Sequence, residues 1–192
     1  MGALDDRVVV VTGAARGLGL AIARRLGEDG ASIALCDIDV RRGEDSAEKL
    51  RADGIAARYV RVDLADADSV DEMAVSVTAD GPIYGLVNNA ALADGVGGRA
   101  VHELAVDEWD RVLDVNLRGT FLVSRALIPS IIEHSDERGG GRVISIGSDA
   151  ALYGSPKLTH YIASKGGVSA LTRTMARDLG PMGSPSTRCR PV

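Results

Sequence analysis

The chain has 192 residues, 45% of them hydrophobic, which is enough for a single domain to bury a core. Its formal net charge of -5 comes from residues of both signs spread along the sequence, with no basic block and no basic–aromatic interleaving, so a nucleic-acid partner is disfavoured. Cys36 and Cys189 lie far apart, and His102, His134 and His160 form no ligand cluster, so neither a disulfide framework nor a metal site is indicated.

Residues Met1 to Arg7 lack an apolar signal core, and no run of about 18 apolar residues occurs, so a membrane partner is not expected and a soluble cytoplasmic protein fits best. Short β-branched runs then alternate with stretches of helical periodicity. The expected strands are Val8 to Thr12, Ser32 to Asp37, Ala57 to Val62, Ile83 to Asn88 and Gly141 to Ser148. The expected helices are Leu18 to Asp29, Arg42 to Asp53, Asp66 to Ala79, Val106 to Glu133 and His160 to Leu179, with Asp66 and Asp107 as N-caps and a kink or frayed turn at Pro129. This alternation predicts an α/β fold, a parallel sheet with helices on both faces. The first strand is nearly all valine, as a strand buried on both sides should be.

Between that strand and the next helix stands Thr12-Gly-Ala-Ala-Arg-Gly-Leu-Gly19. Glycine at 13, 17 and 19 lets backbone amides and a positive helix end approach a pyrophosphate without an intervening side chain. The spacing differs from Gly-x-Gly-x-x-Gly, and a glycine-rich turn alone can be purely structural. Its weight rises with Asp37, about 20 residues on, where a carboxylate can accept from ribose hydroxyls and repel a 2'-phosphate. NAD is therefore expected in preference to NADP, although Arg16, Arg41 and Arg42 are each able to meet a phosphate.

Tyr161 and Lys165 are four residues apart and share a helix face. A phenol with pKa about 10 needs roughly 4 kcal/mol of phenolate stabilisation to drop by about 3 units, which a neighbouring cation in a partly desolvated site can supply. An amphipathic helix whose tyrosine and lysine merely share a face is the plain alternative.

Together Thr12 to Gly19, Asn88-Asn-Ala-Ala91, Asn116 in Asp-Val-Asn-Leu, Ser148 and Tyr161-x3-Lys165 resemble the short-chain dehydrogenase/reductase family from about Leu4 to Gly183. The resemblance implies a Rossmann-type doubly wound sheet and hydride transfer between a nicotinamide cofactor and a secondary alcohol or ketone. It implies a tetrad in which Tyr161 is the general acid/base, Lys165 lowers its pKa and binds the nicotinamide ribose, Ser148 steadies the substrate oxygen and Asn116 helps hold a relay water. The cofactor contacts it implies are Gly13, Arg16, Gly17, Leu18, Gly19, Asp37, Asp63, Leu64, Asn89, Tyr161 and Lys165, with Asp63 and Leu64 bordering the adenine. Ser145 reads as a packing residue. Ala91 replaces the family's usual glycine, which a backbone with negative φ tolerates. The loop Leu92 to Arg99 and the segment Ala150 to His160 should line the substrate pocket. A homodimer or homotetramer through Val106 to Glu133 and His160 to Leu179 is also implied.

Family chains continue about sixty residues further, with two more strands, so residues 1–183 read as an incomplete domain lacking the last strands, and 184–192 as an irregular tail. With suitable codons from Gly183 onward, the frame offset by two bases can encode Ile-Pro-Val-Asn-Thr-Val-Ser-Pro-Gly, so the chain reads as either truncated or frameshifted there. Two other functions compete with the oxidoreductase: a non-catalytic or inactive dinucleotide-binding module, and a nucleotide-sugar epimerase or dehydratase using the same Tyr and Lys.

Overall fold

In the computed structural model, residues 2–79, 81–133 and 140–180 are described. Four consecutive valines set the centre of the sheet. In β1 (Val8–Thr12), Val10 points into one apolar cluster while Val9 and Val11 point into the other, so the strand is covered on both faces. The remaining strands, β2 (Ser32–Asp37), β3 (Ala57–Arg61), β4 (Gly85–Asn88) and β5 (Arg142–Ser145), pair in parallel in the order β3-β2-β1-β4-β5. The chain builds outward from β1 through β2 to β3 and then crosses to the other side of β1, which makes the gap between β1 and β4 a topological switch point. In open α/β sheets the crevice beyond the carboxyl ends of the strands at such a point is where ligands bind.

One core cluster joins Ala23, Ala47 and Leu50, from α1 (Gly17–Glu28) and α2 (Val40–Ala52), to Val9, Val11, Ile33 and Leu35. The other joins Val70, Met73 and Val77 of α3 (Ala67–Thr78) and Leu122, Val123 and Leu127 of α5 (Gly119–Glu133) to Val10, Leu86 and Val143. The sheet is therefore doubly wound, as the sequence pattern predicts. Buried side chains of this size contribute about 1.5–3 kcal/mol each relative to exposure.

Several boundaries differ from expectation for identifiable reasons. The helix expected over Val106 to Glu133 is α4 (Val106–Leu113), a π turn over Asp114–Arg118, and α5; the Gly119 amide reaches back five residues to the Asp114 carbonyl. The change of helix type falls there, and α5 continues through Pro129 to Glu133. The N-cap of α4 is Ala105, and Asp107 lies in the first turn, where its charge meets the positive helix end without capping it. Asp66 does cap α3, accepting from the Asp68 amide at 3.0 Å. Helix α2 starts at Val40, two residues early, because Asp39 caps it through the Arg42 amide. Strand β5 is shorter than expected at both ends, though the Ile146 amide still donates to the Asn88 carbonyl. Two further helices are α6 (Ala150–Tyr153), which was not anticipated, and α7 (Thr159–Leu179). His134, Cys189 and the tail 184–192 lie outside the described residues.

The turn from β1 into α1 depends on its glycines. Gly13 and Gly17 have φ of +64° and +59°, a region that glycine enters without penalty. Gly19 is required by closeness: a Cβ there would overlap the Gly13 carbonyl and the Asn89 side chain. Gly19→Ala is accordingly expected to destabilise the protein by about 1–3 kcal/mol and to abolish dinucleotide binding while the helical circular dichroism is kept. A melting curve and NADH fluorescence titration on the variant check this.

Candidate active site

A cleft of about 560 Å³ opens at the switch point, within the size range of small-molecule sites. Gly13, Arg16, Gly17, Leu18, Gly19, Asp37, Asp63, Leu64, Asn89, Tyr161 and Lys165 all line it. The structure thus brings together every residue expected to touch a dinucleotide. Ser148 and Asn116 do not line this cleft. Ser148 is half-buried in the segment between β5 and α6, its carbonyl accepting from Ala151, and Asn116 is fully buried in the π turn.

At the glycine loop the cleft wall is backbone. Nothing lies within 4 Å of a Cβ built on Gly17, so the start of α1 faces open space with its first amides unobstructed. The loop is held from both sides. Asp37 Oδ2 accepts from the Ala15 amide at 2.9 Å and its Oδ1 from the Asp39 amide at 3.0 Å, while Ser46 Oγ donates to the Ala15 carbonyl at 2.9 Å. On the β4 side, Asn89 Nδ2 donates to the carbonyls of Thr12 and Gly13 at 3.0 and 3.1 Å. These residues fit a dinucleotide: a side-chain-free cradle at a helix start, with a carboxylate at the end of the next strand. Arg16, at the outer edge, pairs with Asp94 at 3.5 Å, and both are largely exposed.

The floor beside Asp37 includes Cys36, whose burial pushes its thiol up to about 12 and leaves it a small inert apolar group. Tyr59 packs on the same strand end and donates to the Asp37 carbonyl; burial first, then the Asp37 charge, pushes its phenol up to about 12. Asp63 Oδ1 accepts from the Ala65 amide, and Leu64 is buried at the cleft wall. Ala91 keeps a negative φ, so the departure from glycine costs no backbone strain.

At the other end Tyr161, half-buried, and Lys165, 4% exposed, come from the first two turns of α7. Lys165 Nζ lies 6.0 Å from the centre of the Tyr161 ring and donates to the Ile146 carbonyl at 2.6 Å. Burial lowers its pKa to about 8. Asn116 is engaged on three sides: Oδ1 accepts from the Leu92 amide at 2.7 Å, and Nδ2 donates to the Leu92 carbonyl and to Ser164 Oγ. Ser164 Oγ in turn donates to the Tyr161 carbonyl at 2.7 Å.

Sequence reasoning missed three groups. Thr12 Oγ1 accepts from the amides of Asn89 and Ala90, both at 3.1 Å, and its place as the last residue of a valine strand was the available signal. Ser164 stood inside the Tyr-x3-Lys motif and was passed over. The contact of buried His160 with half-buried Glu108 joins residues 52 apart and leaves no local sign. Ser145 is fully buried at 3.4 Å from Asn88 Nδ2, consistent with packing.

The comparisons agree with this geometry. The chain is 39% identical over 180 residues to an uncharacterized oxidoreductase of Thermotoga maritima, covering 92% of this chain and 66% of that one. It therefore spans about two thirds of the length of this curated relative. A short chain dehydrogenase/reductase from Burkholderia phymatum, solved in complex with NAD, superposes with a TM-score of 0.89 at 29% identity over 98% of this chain and 65% of that chain. A metagenomic short-chain oxidoreductase, solved in complex with NADP, gives 0.87 at 35% identity over 94% and 79%. Among the described residues no helix is long and apolar enough to cross a membrane. With residues 7–185 matching the family described as short chain dehydrogenase, and with this fold and cleft, the chain belongs to the short-chain dehydrogenase family.

Proposed function

We propose that this protein is a nicotinamide-dependent oxidoreductase that interconverts a secondary alcohol and its ketone, with Tyr161 as the general acid/base. The observation that carries this reading is that Tyr161 and a buried Lys165 stand in the same cleft as the glycine loop and Asp37. Such a cleft can place a substrate oxygen between a phenol and a nicotinamide ring. The bound nicotinamide would supply the hydride acceptor or donor. The chain's own residues supply the rest: Gly13, Arg16, Gly17, Leu18 and Gly19 hold the pyrophosphate, Asp63, Leu64 and Asn89 border the adenosine half, and Asp37 accepts from its ribose. Tyr161 takes the alcohol proton, or returns it to the carbonyl oxygen, and the Lys165 ammonium stabilises the phenolate. Ser148, which follows the cleft-lining Ile146 and Gly147 without itself lining the cleft, would donate to a substrate oxygen lying beyond the cofactor, and Asn116 fixes Leu92 and Ser164 around the proton path. The NAD and NADP complexes of the two similar structures support a nicotinamide cofactor; Asp37 in the cleft favours NAD.

A small alcohol or ketone as the partner and self-association through α4, α5 and α7 belong to the same proposal. Exposed Val106 and Phe121, on α4 and α5, support the latter, being 74% and 46% exposed.

Tyr161→Phe is expected to keep NADH affinity within about twofold and to lose about 10²–10⁴ in turnover on a panel of secondary alcohols and ketones. Full turnover in that variant sinks the reading, and NADH binding without turnover in the parent would favour a binding module. Asp37→Ala is expected to lower the NAD over NADP ratio in kcat/KM by about tenfold or more; an unchanged ratio would remove Asp37 from the cofactor reading.

Lys165 also makes a prediction that needs no turnover. Its pKa of about 8 lies below the ordinary 10.5, so between those values the unfolded chain binds more protons than the folded one, and stability from this group rises with pH. Below pH 8 the folded state bears the full cost of the buried cation, about 3 kcal/mol. Denaturant unfolding of parent and Lys165→Met should therefore diverge in the parent's favour by about 3 kcal/mol from pH 7 to 11, with Cys36 and Tyr59 common to both. A pH-independent difference would contradict the burial argument.

A further inference from the structure

Glu108 and His160 do not line the cofactor cleft, and the proposed chemistry uses neither, although His160 ends the segment expected to border the substrate pocket. His160 is fully buried and makes two hydrogen bonds. Its Nδ1 accepts from the Tyr161 amide at 2.8 Å, and its Nε2 meets Glu108 Oε1 at 3.2 Å. Because Nδ1 accepts, the ring hydrogen sits on Nε2 and is donated to the carboxylate.

That first bond falls at an unusual place. The amide of Tyr161 is in the first turn of α7, where no carbonyl one turn earlier is available. Leu158, at the N-cap, has no side-chain acceptor, so the imidazole takes the place of the missing cap. The amide it satisfies belongs to the residue that carries the phenol.

Glu108 ties this ring to the loop that continues from the cleft-lining residues Ala91 to Asp94. Its Oε1 also faces the Gly97 amide at 3.5 Å, and its Oε2 lies 3.8 Å from Arg99 Nε. The His160 hydrogen bond is the main cause holding the Glu108 carboxyl below its ordinary pKa, with burial opposing. A second tie runs beside it, from the Gly98 amide to the Lys157 carbonyl at 2.9 Å, and any side chain at Gly97 would overlap Leu158. The loop at 97–99 thus docks on the segment leading into α7, with Glu108 at the junction.

We propose that Glu108 and His160 are positioning residues, which hold the first turn of α7, and with it the Tyr161 hydroxyl, in register with the loop at 97–99. The proposal rests on the reading of Tyr161 as general acid/base. Its chemical content is specific: a carboxylate fixes an imidazole tautomer, and the freed ring nitrogen pins one backbone amide. A merely space-filling pair would tolerate any substitution of equal volume, whereas this one requires an acceptor at residue 108.

The test compares parent, Glu108→Ala, Glu108→Gln and His160→Phe in two measurements: amide hydrogen exchange at Tyr161, and kinetics with saturating NADH and the panel ketone that the parent reduces fastest. In Glu108→Ala and His160→Phe, exchange at Tyr161 should accelerate by about tenfold or more and kcat should fall by about tenfold or more, with the NADH dissociation constant within about twofold. Glu108→Gln, which can still accept from Nε2, should recover both to within about threefold. Unchanged exchange or unchanged kcat in Glu108→Ala overturns the proposal, as does a loss that Glu108→Gln fails to recover. If the parent reduces no ketone, the functional reading fails while exchange at Tyr161 still decides whether the pair pins the helix. If Tyr161→Phe is inactive but Glu108→Ala turns over like the parent, the positioning role fails and the functional reading stands.

Discussion

The cleft exists because β1 and β4 are clasped at their carboxyl ends by two side chains. Thr12 Oγ1 accepts from the amides of Asn89 and Ala90 and donates to the Val87 carbonyl, while Asn89 Nδ2 returns to the carbonyls of Thr12 and Gly13. These groups lie where the ladder between the strands has ended, and Thr12 is buried there, so without the clasp its hydroxyl would be left unpaired at a cost of about 1–3 kcal/mol. The clasp ties the two strand ends together at the switch point. The glycine loop leaves from one strand and the Asn89–Asp94 loop from the other, so the width of the cofactor site is fixed by the same few bonds that end the sheet.

The π turn solves a second placement problem. An uninterrupted helix from Val106 to Glu133 would advance about 100° per residue throughout. The extra residue at Asp114–Arg118 turns Asn116 inward, where its amide spans Leu92 on the β4 loop and Ser164 on α7. Through Ser164 the contact reaches the Tyr161 carbonyl. One buried asparagine thereby connects the wall of the cofactor cleft to the helix bearing the tyrosine, and such turns recur at functional sites for this reason.

The sequence was most legible where periodicity and chemistry coincide. The valine run, the alternation of strands and helices and the glycine spacing are local signals from which all five strands and the glycine loop follow, whereas Asp63, Leu64 and Asn89 are placed at the cleft by the family resemblance. The π turn was not legible, because Val106 to Glu133 keeps helical composition across it and a five-residue hydrogen bond leaves no compositional mark. Pro129 is a visible mark in the sequence, yet α5 continues through it to Glu133, while the π turn further up carries no such mark. The Glu108 contact was illegible for another reason: it depends on two helices meeting, and His160 alone reads as an unremarkable residue before Tyr161. A polar pair that joins residues 52 apart comes from how the helices pack and not from local pattern.

Asp37 shows why cofactor choice cannot be assigned to a side chain in isolation. Both of its carboxylate oxygens already accept from backbone amides, of Ala15 and Asp39. Each oxygen still has lone-pair capacity for a ribose hydroxyl, so reading the cofactor and bracing the glycine loop are compatible. They are not independent. A neutral replacement removes the repulsion that a 2'-phosphate would meet, but it also releases the Ala15 amide, and with it part of what shapes the pyrophosphate cradle. Arg16 lies one residue beyond that amide and is itself turned toward Asp94 across the cleft mouth. Under the proposed reading, discrimination between the two dinucleotides would therefore belong to the Asp37–Ala15–Arg16 arc as a unit, because the carboxylate offered to the ribose also holds the Ala15 amide next to Arg16.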